Sequence, residues 1–350
     1  MKTTGYRPLR AADLFCGAGG SAVGARQAGV EIVGSVDADP VATATFADNF
    51  PSAKVVSGRL DAWNGPSLFG DIGPIDLLLA SPECTNHSVA RGARAIDEES
   101  LRSAAYIMPF IDEWEPTYIV LENVTRIKKW DGWLDLLKYL QQAGYYVSTQ
   151  ELDAVNFGVP QSRRRMFILC SLEGPPSRVR PVRPSRHPTA RSILDPIGIH
   201  RATPIHDRKR PLAPSTLERI ERGRSAIPED DFLIVYYGSD AAGGWQPLDR
   251  PIRTLTTLDR FGLVSGTGQE TTLRMLQVSE LRRAMGLPDD FRMNFGTRRD
   301  RIRLLGNGVC PPVMAAVVSA VLQSTEQADF SSDALRQGAL DLRAVAPSAA

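Results

Sequence analysis

A chain of 350 residues that is 43% hydrophobic and 23% charged can bury a large core, which excludes a disordered or low-complexity protein. Its formal net charge of +1 excludes binding to a polyanion by overall charge, so any basic surface has to be local. The four cysteines, Cys16, Cys84, Cys170 and Cys310, are scattered, with no Cys-x-x-Cys pair and no histidine spaced to complete a zinc site, so no metal is expected and the thiols read as reduced.

The opening segment, "MKTTGYRPLR", has no apolar signal core and no later stretch reads as a membrane span, which predicts a cytoplasmic protein without a membrane partner. Strand and helix signals then alternate as in a doubly wound α/β sheet. "LRAADLFC" reads as a strand, Gly20 to Ala28 as a helix, "EIVGSVDAD" as a strand, and "PVATATFADNF" as a helix with Pro40 in its first turn. The buried strand "IDLLLA" follows, then a helix from Leu101 to Trp114, the strand "TYIVLENV", a helix from Gly132 to Ala143, and the strands "YYVSTQELDA" and "RRRMFILCSLEG".

From Gly174 to about Arg224 the chain turns rich in proline and arginine, with a local excess of about eight positive charges, which suits a phosphate-facing surface or a solvated linker. Beyond Phe232 come the short strand signals "FLIVYYG" and "RPIRTLTTLDRFGLVSG", then the helical "VSELRRAMG". The stretch "RIRLLGNGVCPPVMAAVVSAVLQS" reads as a loop leading into an apolar helix. These signals predict a large Rossmann-like domain over 1–172, completed by 301–325, a smaller β-containing domain over 173–300, and a tail over 326–350.

Several residues stand where such folds collect ligands, at the carboxyl ends of strands. The Gly-rich turn "DLFCGAGG" lets the backbone approach a ligand through Gly17 and Gly19, and Asp37 ends the next strand, where it can accept from ribose hydroxyls. No phosphate-loop lysine follows, which favours a nucleoside ligand without a phosphate chain. Cys84 lies in the polar loop "SPECTNHS", an unusual place for a residue that normally hides in the core. Glu122 ends the strand "TYIVLENV", so a thiol and an acid can face one pocket, and Arg163 and Arg165 share one face of "VPQSRRRMF" if it is extended. His187, His200 and His206 read as surface residues, and Cys16, Cys170 and Cys310 as core residues.

In order, "DLFCGAGG", Cys84 after a Pro-containing loop, "ENV", "PQSRRRMF", a basic stretch, "TLTT" and "GNGV" resemble the motif series of DNA cytosine-5 methyltransferases to about residue 323. The resemblance implies an S-adenosylmethionine-dependent methyltransferase domain with a target-recognition domain, acting on double-stranded DNA. It implies S-adenosyl-L-methionine held by Phe15, Gly17, Gly19, Asp37, Asp61 and Asn307, and catalysis by Cys84, Glu122, Arg163 and Arg165. It also implies DNA contacts from Ser88, Gln161, Arg186, Arg191, Thr256 and Thr257, a monomer, and a possible cognate restriction endonuclease. Departures from the family pattern fall at Glu83, Thr85 and His87 around the nucleophile and at Gly58-Arg59-Leu60, with Asp61 two positions late. They leave open a carboxylated methyl donor greeted by Arg59, an RNA substrate, and a catalytically silent DNA-binding module.

Overall fold

The structure is a computed structural model and describes residues 7–61, 63–82, 103–181, 187–206, 208–236 and 243–324. Seven strands form the main sheet: β1 (Arg10–Leu14), β2 (Glu31–Asp37), β3 (Lys54–Ser57), β4 (Leu77–Ala80), β5 (Tyr118–Asn123), β6 (Tyr146–Asp153) and β7 (Arg164–Ser171). Their spatial order is β3-β2-β1-β4-β5-β7-β6, parallel through β5, with β7 antiparallel to both of its neighbours. The order reverses between β1 and β4, and a crevice outside the carboxyl ends of strands at such a reversal is where open α/β sheets bind ligands.

The central strands are apolar on both faces because helices cover both. Ala11, Leu77, Leu79 and Val120 belong to one core, and Ala12, Leu78, Ile119 and Leu121 to the other, as a period of two requires. Against the first core pack α1 (Gly20–Gln27) and the apolar C-terminal helix Pro311–Leu322; α2 (Pro40–Asn49), begun by the Asp39 side chain accepting from Val41 N, contributes Phe46 to it. Against the second lie α3 (Met108–Trp114) and α4 (Trp133–Gln142). The helix expected from Leu101 to Trp114 begins, within the described residues, as a 3-10 turn over Ser103–Ile107 and becomes α-helical at Met108.

The smaller sheet has the order β10-β9-β11-β12-β8, with β8 (Thr203–Pro204), β9 (Phe232–Val235), β10 (Trp245–Pro247), β11 (Phe261–Ser265) and β12 (Thr272–Met275). The proline- and arginine-rich stretch is less irregular than its composition predicts: α5 (Pro214–Ala226) starts at Pro214 and buries Ile220 against Phe232 and Ile234. Gly223 meets the Phe232 ring so closely that a Cβ there would stand 2.2 Å from it.

Two further expectations are corrected. "TLTT" is not a strand; a parallel bridge between Gln161 and Ile252 just before it, and side-chain hydrogen bonds from Thr254 Oγ1 to Ser162 O and from Leu255 N to the Gln161 amide oxygen, tie that segment to its neighbour. "RIRLLGN" is not a loop but most of α7 (Arg298–Asn307), which follows α6 (Val278–Ala284) and is capped by a reciprocal Thr297–Asp300 pair. The helix breaks at Gly308 and resumes as α8 (Pro311–Leu322), so the apolar run over 298–322 is two helices, largely buried inside the protein.

Candidate active site

At the reversal point β1 runs into the Gly-rich turn. Ser81 N donates to Leu14 O, Cys16 N to Val36 O, and Phe15 is held in the left-handed region at φ 56°. A non-glycine residue there is strained and persists only where its surroundings fix it. The three glycines do different work. Gly19 and Gly20 permit packing, since a Cβ would stand 3.0 Å from Phe46 and 2.2 Å from Val309 O respectively. Gly17, at φ +52°, faces open space, and it is the position at which the backbone is bare toward a ligand.

Asp37 terminates β2 against this turn. Its Oδ2 accepts from Gly17 N and its Oδ1 from Asp39 N, both at 2.8 Å, which aims the carboxylate and leaves lone pairs for a further donor. Burial raises its pKa, opposed by those two N–H groups. Asp13, one turn of chain upstream, is fully buried, and neither carboxylate oxygen has a hydrogen-bond partner among the described residues. Burial and the nearby Asp37 push it well above the carboxylate range, opposed by the backbone N–H of Ala22. Asp61 has one oxygen committed to its own loop, accepting from Trp63 N at 2.7 Å and Asn64 N at 3.1 Å.

Across the reversal point, β5 ends in Glu122 and Asn123, both buried although the strand is leaving the core. Arg165 Nε lies 3.1 Å from Glu122 Oε1, too poorly aligned to make a hydrogen bond, so the contact is an ion pair only. Burial raises the Glu122 pKa, with Arg165 and then Arg163 pulling it back. Asn123 Nδ2 donates to Pro82 O at 3.2 Å, which ties the end of β5 to the segment entering "SPECTNHS".

Arg163 lines the same small pocket as Arg165, but its guanidinium is committed to backbone carbonyls. It is 2% exposed, and its guanidinium donates to Leu255 O at 3.1 Å and to Gly306 O and Gly308 O at 2.8 Å each. One side chain therefore joins β7, the "TLTT" segment and the "GNGV" turn. Gly306 sits so near Thr256 that a Cβ would stand 2.3 Å from its carbonyl oxygen, which brings Thr256 and Thr257 up to Asn307, itself exposed at the end of α7. Gln161, expected on the DNA face, is fully buried: its amide donates to Ala284 O and contacts Met285 Sδ, and its oxygen accepts from Leu255 N. It is a joint between segments, because a buried amide has to spend both ends inside the protein.

With this geometry in place, the comparisons decide the family. The model of the C-5 cytosine-specific DNA methylase family matches residues 9–323. The chain belongs to that family. Among relatives of this methylase, the type II methyltransferase M.XorII of Xanthomonas oryzae pv. oryzae is 28% identical over 87% of this chain and 82% of its own length. M.NgoPII of Neisseria gonorrhoeae is 22% identical over 92% and 97%. Two solved structures share the fold: the Dnmt2 methyltransferase of S. pombe (TM-score 0.65, 19% identity, 90% of this chain and 98% of that one) and the Entamoeba histolytica methyltransferase EhMeth (TM-score 0.64, 15%, 91% and 98%).

The methyl donor of the methylase family is S-adenosylmethionine, and the residues at the reversal point fit it. Gly17 is bare, and Asp37, anchored by two backbone N–H groups, is poised to accept the hydroxyl hydrogen bonds of a ribose. Cys84, Ser88 and Arg186, with the departures at Glu83, Thr85 and His87, lie outside the described residues.

Part of the basic stretch of the methylase is committed to partners around the smaller sheet, while Arg178, Arg180, Arg201, Lys209 and Arg210 are exposed. Arg191 pairs with Asp230 at 2.6 Å, Arg222 donates to Gly243 O, Arg219 lies over the Tyr236 ring, and Arg224 donates to four carbonyls, including Gly266 O. His200 joins a network in place of a free surface: Asp195 takes His200, Ser279 and Arg283, while Glu280 takes Arg274. Burial pushes Asp195 up, but the hydrogen bonds from His200, Arg283 and Ser279 prevail and hold it at about 2. Asp195, His200 and Glu280 are close enough together to surround an ion, yet the arginines already neutralise both carboxylates.

Two residues near the site went unread in the sequence. The signal for Asp13 was present, an acid inside an apolar strand. Arg303, whose guanidinium reaches Asp39 at 2.6 Å, gave none, because only the return of α7 to the sheet brings the two together.

Proposed function

We propose that this chain methylates C5 of a cytosine in duplex DNA, with Cys84 as nucleophile and Glu122 as the acid that meets the base. The observation that carries the reading is the buried Glu122, raised in pKa and faced by Arg165 at the carboxyl end of β5, with Asn123 holding Pro82 beside it. Cys84 follows Pro82 by two residues, so covalent reach alone keeps its Cα within about 7 Å of that anchor. Bound S-adenosylmethionine supplies an electrophilic methyl group; Phe15, Gly17, Gly19, Asp37, Asp61 and Asn307 are the residues proposed to hold it.

Cytosine C5 is a weak nucleophile until a group adds at C6. The Cys84 thiolate forms that bond, and the C5–C6 electrons become available at C5. Protonated Glu122 shares its proton with ring N3, which neutralises the charge that develops during addition, and Arg165 keeps the carboxyl oriented. Once C5 carries the methyl group, its proton leaves to a base or water and the C6–sulfur bond breaks, returning the thiolate. Because C6 is unreachable in a stacked duplex, the base has to leave the helix. Arg163 acts through others, fixing the "TLTT" and "GNGV" segments on either side of the pocket.

The test is incubation with duplex DNA and S-adenosylmethionine, digestion to nucleosides and mass spectrometry, alongside Cys84→Ser and Glu122→Gln. A 5-methylcytosine peak lost in Cys84→Ser is the expected result. Product only from RNA or only with a carboxylated donor would replace the substrate or donor in this reading; no product from any combination would make the chain a silent DNA-binding module.

A further inference from the structure

The phosphate-facing surface that the sequence placed in the small domain has a counterpart on the large one. Directly after Asn123 the chain forms a 3-10 turn over Thr125–Lys129, in which Arg126, Lys128 and Lys129 are exposed and Ile127 is buried. Ile127 pins the turn to the core, Ile127 N donating to Val124 O and Trp130 N to Ile127 O. Trp130 closes it by packing on Gly132, where a Cβ would stand 2.4 Å from the ring. The three cations therefore project from a fixed base and not from a slack loop.

None of them forms an ion pair with the described residues, in contrast to Arg191, Arg222 and Arg224, which are committed within the small domain. The nearest acid in sequence, Asp131, leaves the segment 125–131 with a net positive charge. Arg126 is four residues from Glu122, so the turn begins within about 14 Å of the group proposed to meet the base. Three clustered, anchored cations at that distance, on an otherwise nearly neutral chain, match a row of phosphates.

We infer that Arg126, Lys128 and Lys129 form a phosphate clamp that grips the duplex backbone beside the extruded nucleotide. The inference rests on the DNA reading above. The clamp supplies affinity without sequence information, because phosphates are the same at every step.

The test measures binding of the full chain to a labelled duplex by fluorescence anisotropy across a range of potassium chloride concentrations. It compares the unmodified protein with R126A/K128A/K129A and with the charge-preserving R126K/K128R/K129R. The alanine variant is expected to lower the slope of log K against log salt by about 2–3 and to weaken binding at 0.1 M salt by about tenfold or more. The charge-preserving variant retains the slope. An unchanged slope in the alanine variant overturns the clamp while leaving the DNA reading intact, and so does equal weakness of the charge-preserving variant. Absence of salt-dependent duplex binding by the unmodified protein overturns the DNA reading itself and the clamp with it.

Discussion

Arg163→Ala should be among the most destabilising single changes in the chain. The guanidinium is 2% exposed and donates to three backbone carbonyls, those of Leu255, Gly306 and Gly308. A hydrogen bond from a charged donor is worth roughly 1.5–3 kcal/mol, and the three share one side chain, so simple addition overshoots. A cost of about 4 kcal/mol is expected, a large share of a stability of the usual order of 5–15 kcal/mol. Arg163→Lys, whose single ammonium cannot span the same carbonyls, should cost about half as much. The assay is urea unfolding followed by far-UV circular dichroism, with Arg164→Ala as control. Arg164 is the neighbouring residue, its side chain is 71% exposed and its ion pairs are 3.6–3.8 Å long, so its loss should cost less than about 0.5 kcal/mol. A midpoint for Arg163→Ala equal to that of Arg164→Ala would refute the clamp that joins the three segments.

The Gly-rich turn gives a paired prediction. Gly17→Ala adds a methyl group into open space, so the fold should lose only the roughly 1 kcal/mol of a left-handed alanine while the KM for the methyl donor rises. Gly20→Ala drives a Cβ to 2.2 Å from Val309 O and should instead lower the melting temperature, so equal behaviour of the two in melting and donor kinetics would contradict the assignment. For Glu122, burial raises the pKa of an acid used in its protonated form, so kcat/KM should fall as pH rises through that raised value. Glu122→Gln should be slow and lack that limb; a pH profile shared by both proteins would remove Glu122 from the proton chemistry.

Much of this protein is fixed locally and is legible without a structure. The alternation of "LRAADLFC", "EIVGSVDAD", "IDLLLA" and "TYIVLENV" with helical signals follows from periods of 2 and 3.6, and those segments fold as β1, β2, β4 and β5 between helices. Glu122 was legible because an acid at the end of an apolar strand is conspicuous, and Asp37 for the same reason. Composition could not sort the arginine-rich stretch, since charge counts say nothing about partners: Arg224 meets Gly266 O and Arg222 meets Gly243 O only when the small sheet has closed, while Arg178, Arg180 and Arg201 stay exposed. Gln161 and Arg163 show the same limit. Their side chains extend from "PQSRRRMF" to carbonyls about 90 to 145 positions away, and nothing in local periodicity encodes such a pairing. The sequence by itself determined the alternating strands and helices of the main sheet and the glycine turn between the first two, because each is set by neighbours along the chain. Only the tertiary structure decided which arginines bind the protein and which face solvent, because a buried donor is satisfied by whatever carbonyl the fold brings to it.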